Sequence, residues 1–216
     1  MKTVEPQSRQ ANGKTRIQAL NESRIITAAE TVFAEHGFRG ATVDEIAKRA
    51  EMSKPNLLYY FKNKKTLYRA VLDHTLNFWL EPLAELDADK DPESEIRRYI
   101  AHKLEASWKN PRASRIFASE MLRGAPVLNS YLRGDLKSLV ADKCAVIEQW
   151  IAAGKLAPID PIHLIFMIWA TTQHYADFDI QVKAVWGKGA LNKKEFDRIE
   201  DAVSAVILHG ILPRKH

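Results

Sequence analysis

Two groups of side chains in this 216-residue chain have the types and spacing to do chemistry. The first is Lys54, Asn56, Tyr59 and Tyr60, set among Leu57, Leu58 and Phe61. Ammonium, amide and phenol groups on a short helix can enter a DNA major groove and bind base edges or phosphates. Lys54, Asn56 and Tyr60 suit base edges. Thr42, Ser53, Tyr59 and Lys64 suit phosphates, and three of these open helices, whose N-termini attract anions. Thr42 and Ser53 also read as plain helix caps, and Tyr59 as packing.

The second group is Trp79, Trp169, Gln173 and Asp177. Phe166, Trp169, Gln173 and Asp177 recur at helical spacing and share one strip. Indole offers a stacking face, and the glutamine amide sets a donor beside an acceptor. That pair complements the lactam or imide edge of a small planar heterocycle, and Trp79 on an earlier helix supplies a second wall. Tryptophan at helical spacing also fits an ordinary core. Gln173 and Asp177 weigh the other way, because buried polar groups need partners. On chemistry alone, pocket and core stay level.

Nothing here reads as catalytic. His163 and His174 stand eleven residues apart on one helix, about 16 Å by helical rise, so they cannot share a metal. His174 reads as a hydrogen-bonded interior histidine. The chain holds no paired cysteines, phosphate loop or nucleophile elbow. No catalytic residue, metal or cofactor is expected.

Helical periodicity and punctuation give the supporting elements. A first helix from Asn21 to His36 buries Ile25, Ala28, Ala29, Val32 and Phe33, with Gly37 ending it. Thr42 and Glu45 form a capping box for the second. Ser53 caps the third, with Pro55 in its first turn. Asn63 caps a fourth that carries Leu67, Val71, Leu76 and Trp79 and joins the two halves of the chain. Ligand contact at Trp79 is expected to tilt this helix, and Pro82 to bend or end it. Asp91-Pro92, Asn110-Pro111, Pro126 and Asp160-Pro161 open the next four. The fifth turns Ile96, Ile100, Leu104 and Trp108 inward. The eighth runs to about Val182, and the ninth carries Phe196, Ile199, Val203 and Val206. No strand alternation or repeat appears, so the fold class is all-α with about nine helices.

The eighth helix has a second face, Leu164, Ile168, Thr171, Tyr175 and Phe178. Together with the ninth helix it would build a four-helix homodimer interface. Residues 1–20, with Arg9, Lys14 and Arg16, read as a disordered basic arm. Residues 21–66 are then a helix-turn-helix DNA-binding domain, and 67–216 an effector-binding and dimerisation domain.

Charge supports the division. Residues 1–72 hold thirteen Lys/Arg against seven Asp/Glu, whereas 73–216 hold nineteen against twenty, so the net +5 is +6 and −1. A polyanion suits the first third. Cys144, the only cysteine, cannot close an intrachain disulfide and reads as a buried small helix residue, as expected for a reducing cytoplasm. The apolar run Leu164–Ala170 is too short to span a bilayer.

Gly37, Phe38, Thr42, Val43, Ile46, Ala47, Ala50, Ser53, Leu58, Tyr59, Tyr60, Phe61, Lys64 and Leu67 stand in a fixed register over three helices. This register resembles the DNA-binding domain of the TetR family of transcriptional regulators. The resemblance implies a homodimer, one recognition helix per half-site of operator double-stranded DNA, and a separate ligand domain. Glu51 stands where the family usually has glycine; a positive φ there would cost on the order of 1 kcal/mol. Pro55 replaces another frequent glycine. The tracts 78–83, 114–126 and 154–178 resemble the pyrimidine-utilisation regulators of that family. They imply uracil or thymine as effector, and a repressor or dual regulator of pyrimidine catabolism. A TetR-type repressor of another small aromatic or heterocyclic molecule is the alternative, and a helical enzyme acting on a small heterocycle a remote one.

Overall fold

A computed structural model describes residues 16–213. Arg9 and Lys14 of the expected arm lie outside the described residues. The first helix, α1 (Arg16–Gly40), starts five residues before the expected start at Asn21, inside the expected arm. Arg, Gln, Ala and Leu all favour helix, so polarity alone is a poor guide to where the chain becomes ordered there. Gly37 takes φ 65° inside α1 and kinks its last turn.

Next come α2 (Val43–Arg49), α3 (Lys54–Tyr60) and α4 (Lys64–Ala84). Thr42 Oγ1 accepts from the Glu45 N–H and caps α2. The other half of the expected capping box is not made: the Glu45 carboxylate pairs with His36 Nε2 at 3.0 Å. Ser53 caps α3 by accepting from the Asn56 N–H. Asn63 caps α4 reciprocally with Thr66. Glu51 has φ 54° at the turn between α2 and α3. Arg24 ties that turn down, donating to the Ala50 carbonyl at 3.0 Å and the Glu51 carboxylate at 3.1 Å. Ile25, Ala29, Val32, Ile46, Leu57 and Leu67 close the small core beneath.

Pro82 sits in the last turn of α4, two residues before its end at Ala84. Its missing N–H frees the Phe78 carbonyl, and His102 Nε2–H fills the vacancy at 2.8 Å.

The C-terminal half comprises α5 (Pro92–Lys109), α6 (Pro111–Leu122), α7 (Asn129–Tyr131), α8 (Lys137–Ala152), α9 (Pro161–Asp177), α10 (Asp179–Trp186) and α11 (Lys193–Ile211). A π turn, Leu132–Leu136, joins α7 to α8. Asp91, Asn110 and Asp160 cap α5, α6 and α9 just ahead of a proline at each start. Around α5 pack α4, α9 and α11, while α6 bridges α1, α4 and α9. The described residues contain no strand.

The expected eighth helix is two: Phe178, at φ −116° and ψ 34°, separates α9 from α10. Its expected dimer face also divides. Leu164 and Ile168 are buried in the protomer's own core, while Thr171 and Phe178 are exposed. The faces were drawn from periodicity alone, which cannot tell a core on one's own α5 from a core on a partner. On α11, Phe196, Ile199 and Val203 are buried and Val206 is exposed. Trp108 stacks on Phe196, ring centroids 4.7 Å apart, fastening α5 to α11. No helix among the described residues is long and apolar enough to cross a membrane.

Candidate DNA interface and ligand site

Helix α3 is held from below by fully buried Leu57, and α2 by Ile46 and Ala47. Thr42, Ser53, Lys54, Asn56 and Tyr59 are exposed on this corner, and Tyr60 and Lys64 are half-buried. Tyr59 is 73% exposed, a large ring whose one aromatic contact is edge-on to Tyr60 at 5.3 Å. The bare packing role is therefore a poor account of it. Tyr60 behaves differently: its phenol oxygen accepts from Asn21 Nδ2 at 2.9 Å and braces α3 against α1.

Lys54 Nζ pairs with Asp44 at 2.8 Å. Lys64 Nζ donates to the carbonyls of Ala41 at 2.8 Å and Arg39 at 3.3 Å, and lies 4.9 Å from the Phe38 ring centroid. It clamps the α1–α2 corner, so a phosphate contact has only its remaining N–H to use. Thr42 and Ser53 accept from backbone as caps and keep an O–H to give.

In the C-terminal half, Trp79 is buried on α4. Its ring lies edge-on to Phe117 of α6 at 5.4 Å, and Lys103 Nζ of α5 sits 4.2 Å from its centroid. Trp169 on α9 is half-buried, and its indole N–H donates to the Tyr99 hydroxyl of α5 at 2.5 Å. Tyr99 and Lys103 are one turn apart on α5, as are Trp169, Gln173 and Asp177 along α9, so two short ladders confront each other. Asp177 accepts a short hydrogen bond from fully buried Ser114 of α6. Gln173 is half-buried, and its side-chain amide makes no hydrogen bond among the described residues.

The electrostatics of this interior are unusual. Burial pushes the Lys103 ammonium down to about 7, with the Asp177 charge working in the other direction. Burial raises the Asp177 carboxyl, while Ser114, Lys103, His174 and Arg115 oppose the rise. Burial also holds the Tyr99 phenol well above its ordinary range. The site thus offers two indoles, a cation, a carboxylate, a phenol and a free amide. It has the polar groups to hold a small heterocycle, and among the described residues no His, Cys, Asp and Glu gather to hold a metal.

Sequence reasoning named four of these residues. Lys103 lies over the Trp79 ring and feels the Asp177 charge without touching it, and Tyr99, one turn earlier on α5, bonds Trp169. The structure shows no direct contact between the two indoles. Lys103, Ser114 and Tyr99 were missed. Lys103 had a signal, since it falls on the inward face of α5 between Ile100 and Leu104.

A cavity of about 330 Å³ opens between α8 and α9 behind Trp169, walled by Leu136, Val140, Cys144, Ile162 and Phe166. Cys144 there is half-buried rather than buried, its thiol raised by burial. His174, expected as an interior histidine near the interface, is exposed in the protomer and stacks on Phe178 at 5.2 Å. Its register on α9 points it away from the α5 side, where Leu164, Ile168 and Thr172 lie.

Comparison with known proteins places the arrangement. The family model for bacterial regulatory proteins of the tetR family matches residues 25–71, and that for the C-terminal region of YcdC-like proteins matches residues 72–214. The HTH-type transcriptional regulator RutR of Escherichia coli (strain K12) is 48% identical over 201 residues, 93% of this chain and 95% of its own. The HTH-type transcriptional repressor NicS of Pseudomonas putida is 29% identical over 147 residues, 66% of this chain and 68% of its own. The ketosteroid transcriptional regulator KstR2 of Mycobacterium tuberculosis shares the fold, with a TM-score of 0.68 at 21% identity over 95% of this chain and 98% of its own. These relatives are regulators, not enzymes.

Proposed function

Because the chain belongs to the TetR family of DNA-binding transcriptional regulators, we propose that it controls pyrimidine catabolism genes and is released from operator double-stranded DNA by uracil or thymine. The effector sits among Trp79, Trp169, Gln173 and Asp177. One observation carries this reading. Asp177 is a half-buried carboxylate bonded to fully buried Ser114, and its charge acts on buried Lys103, whose ammonium lies over the Trp79 ring. A core needs no such charge, whereas a polar planar ligand does. The likeness of tracts 78–83, 114–126 and 154–178 to pyrimidine-utilisation regulators supports the choice of ring. The protein acts in the cytoplasm, as repressor or dual regulator, without a cofactor.

On the DNA side, Lys54, Asn56 and Tyr59 take base edges and phosphates, with Thr42, Ser53 and Lys64 adding phosphate contacts. Tyr60 acts mainly as the brace of α3. Lys54 must exchange Asp44 for DNA. Members of this family act as dimers, and here the pairing face is α9 with α11. The exposed side of α9 carries Met167, Ala170, His174 and Phe178; that of α11 carries Ala202, Ala205, Val206 and Gly210. Small residues on α11 allow a close crossing of helices.

Helix α6 couples the two functions. At one end Ser114 and Phe117 touch Asp177 and Trp79. At the other, Arg123 Nη2 donates to the Tyr68 hydroxyl at 3.0 Å, and Tyr68 packs against Phe33 and Phe38 of α1. Ligand that shifts α6 changes how α1 sits, and with it the separation of the recognition helices. A mobility shift on DNA upstream of the chain's own gene tests the assignment. Uracil dissolves the complex and adenine does not; a complex indifferent to both uracil and thymine defeats it.

A further inference from the structure

Lys103 is 2% exposed in the middle of α5. Among the described residues its ammonium donates no hydrogen bond, and no carboxylate lies within the 4.0 Å of an ion pair. Asp177 is its nearest counter-charge, felt at a distance, and that carboxylate has turned to Ser114. The Trp79 face orients the ammonium at 4.2 Å, yet a ring quadrupole is no substitute for a lone-pair acceptor. A lone buried cation destabilises a fold unless something completes its coordination. Folding alone gives no reason to keep it.

We propose that Lys103 and Asp177 are a split pair closed by the effector. The ammonium donates to a ring carbonyl, and the carboxylate accepts the adjoining ring N–H. The ligand class is therefore a cyclic amide or imide with C=O and N–H side by side. This rests on the effector site argued above, and makes Lys103 its specificity-determining residue.

The geometry has a proton signature. Burial holds Lys103 near pH 7 in the free protein, and a ligand acceptor raises it. The charged groups about it are Asp177, with His174 and Arg115 acting on that carboxylate, and the Tyr99 phenol one turn earlier; Trp79 and Phe117 are neutral. The bound state then holds more protons than the free one. Affinity is highest near pH 7, falls as pH rises through 8 by up to about tenfold per unit, and falls again in acid as the Asp177 carboxylate, its pKa raised by burial, takes a proton.

Calorimetry on the full-length protein with uracil, hydantoin and 2-pyridone tests this, beside thermal unfolding without ligand. K103M should weaken uracil by about 10- to 150-fold, the range of a hydrogen bond to a charged group. It should also raise the ligand-free Tm, because methionine fills the space without the charge. In buffers of differing ionisation heat at pH 8, wild type should take up a proton on binding and K103M none. Affinity within twofold of wild type in K103M overturns the proposal. So does a lowered Tm accompanied by normal proton uptake, which would make Lys103 structural. If uracil fails but hydantoin or 2-pyridone binds through Lys103, the pyrimidine reading falls and the split pair stands. If none of the three binds, both fall.

Discussion

Replacing Tyr68 by Phe removes one hydroxyl and nothing else from the junction between α4, α6 and α1. The ring keeps its contacts with Phe33 and Phe38, both 4.9 Å centroid to centroid. What goes is the bond from Arg123 Nη2 at 3.0 Å and the hydroxyl's own bond to the Glu120 carboxylate. Burial, aided by the Glu120 charge, raises the phenol to about 12, so it is protonated throughout any ordinary assay and the comparison changes no charge. A hydrogen bond to a charged group is worth about 1.5–3 kcal/mol. Arg123 is 35% exposed and keeps its pairing with Glu120 at 3.2 Å, so water replaces part of the loss and about 1 kcal/mol is expected. If α6 carries the signal, that loss appears in coupling as well as in stability. Allosteric coupling is typically 1–3 kcal/mol, and removing about 1 kcal/mol shrinks the coupling ratio about fivefold. The assay is uracil affinity by calorimetry, with and without saturating operator, in wild type and Tyr68→Phe. A variant that loses stability yet keeps the wild-type ratio refutes the route through α6.

Three further outcomes are expected. Gln173→Leu keeps the approximate size of the side chain but strips its donor and acceptor, so uracil should weaken by on the order of 1–3 kcal/mol in calorimetry; unchanged affinity would return the α9 strip to the core. Tyr59→Ala should cost about 1–3 kcal/mol of operator binding with the Tm unmoved, while Tyr60→Phe, which loses only the Asn21 bond, should lower the Tm more than the affinity; the reverse pattern in anisotropy and melting contradicts the roles assigned to them. Val206→Glu places a charge on the exposed side of α11, 76% free in the protomer; light scattering should find monomers, and an intact dimer would move the interface elsewhere.

The parts legible in the sequence are those fixed by near neighbours. Thr42, Ser53, Asn63, Asp91, Asn110 and Asp160 each cap a helix, because a cap is written within three residues of its helix. The strain at Glu51 was legible too, from one position in a turn. Relations across the chain were not. Nothing near Trp169 in sequence announces Tyr99, seventy residues away. The bond from Asn21 to Tyr60, thirty-nine residues away, was equally invisible. Lys103 drew no reading at all, since lysines are almost never fully buried, and that prior is what makes its burial informative. The break at Phe178 escaped because the apolar pattern runs on through it.

The central claim is that one small pyrimidine and one operator compete through the fold. The most direct measurement is the operator dissociation constant with and without saturating uracil, set beside the uracil constant with and without saturating operator. Uracil should weaken operator, operator should weaken uracil, and the two factors should agree at roughly 5- to 150-fold. A factor of one in both directions, with uracil bound, would show that the pyrimidine occupies the protein without regulating it.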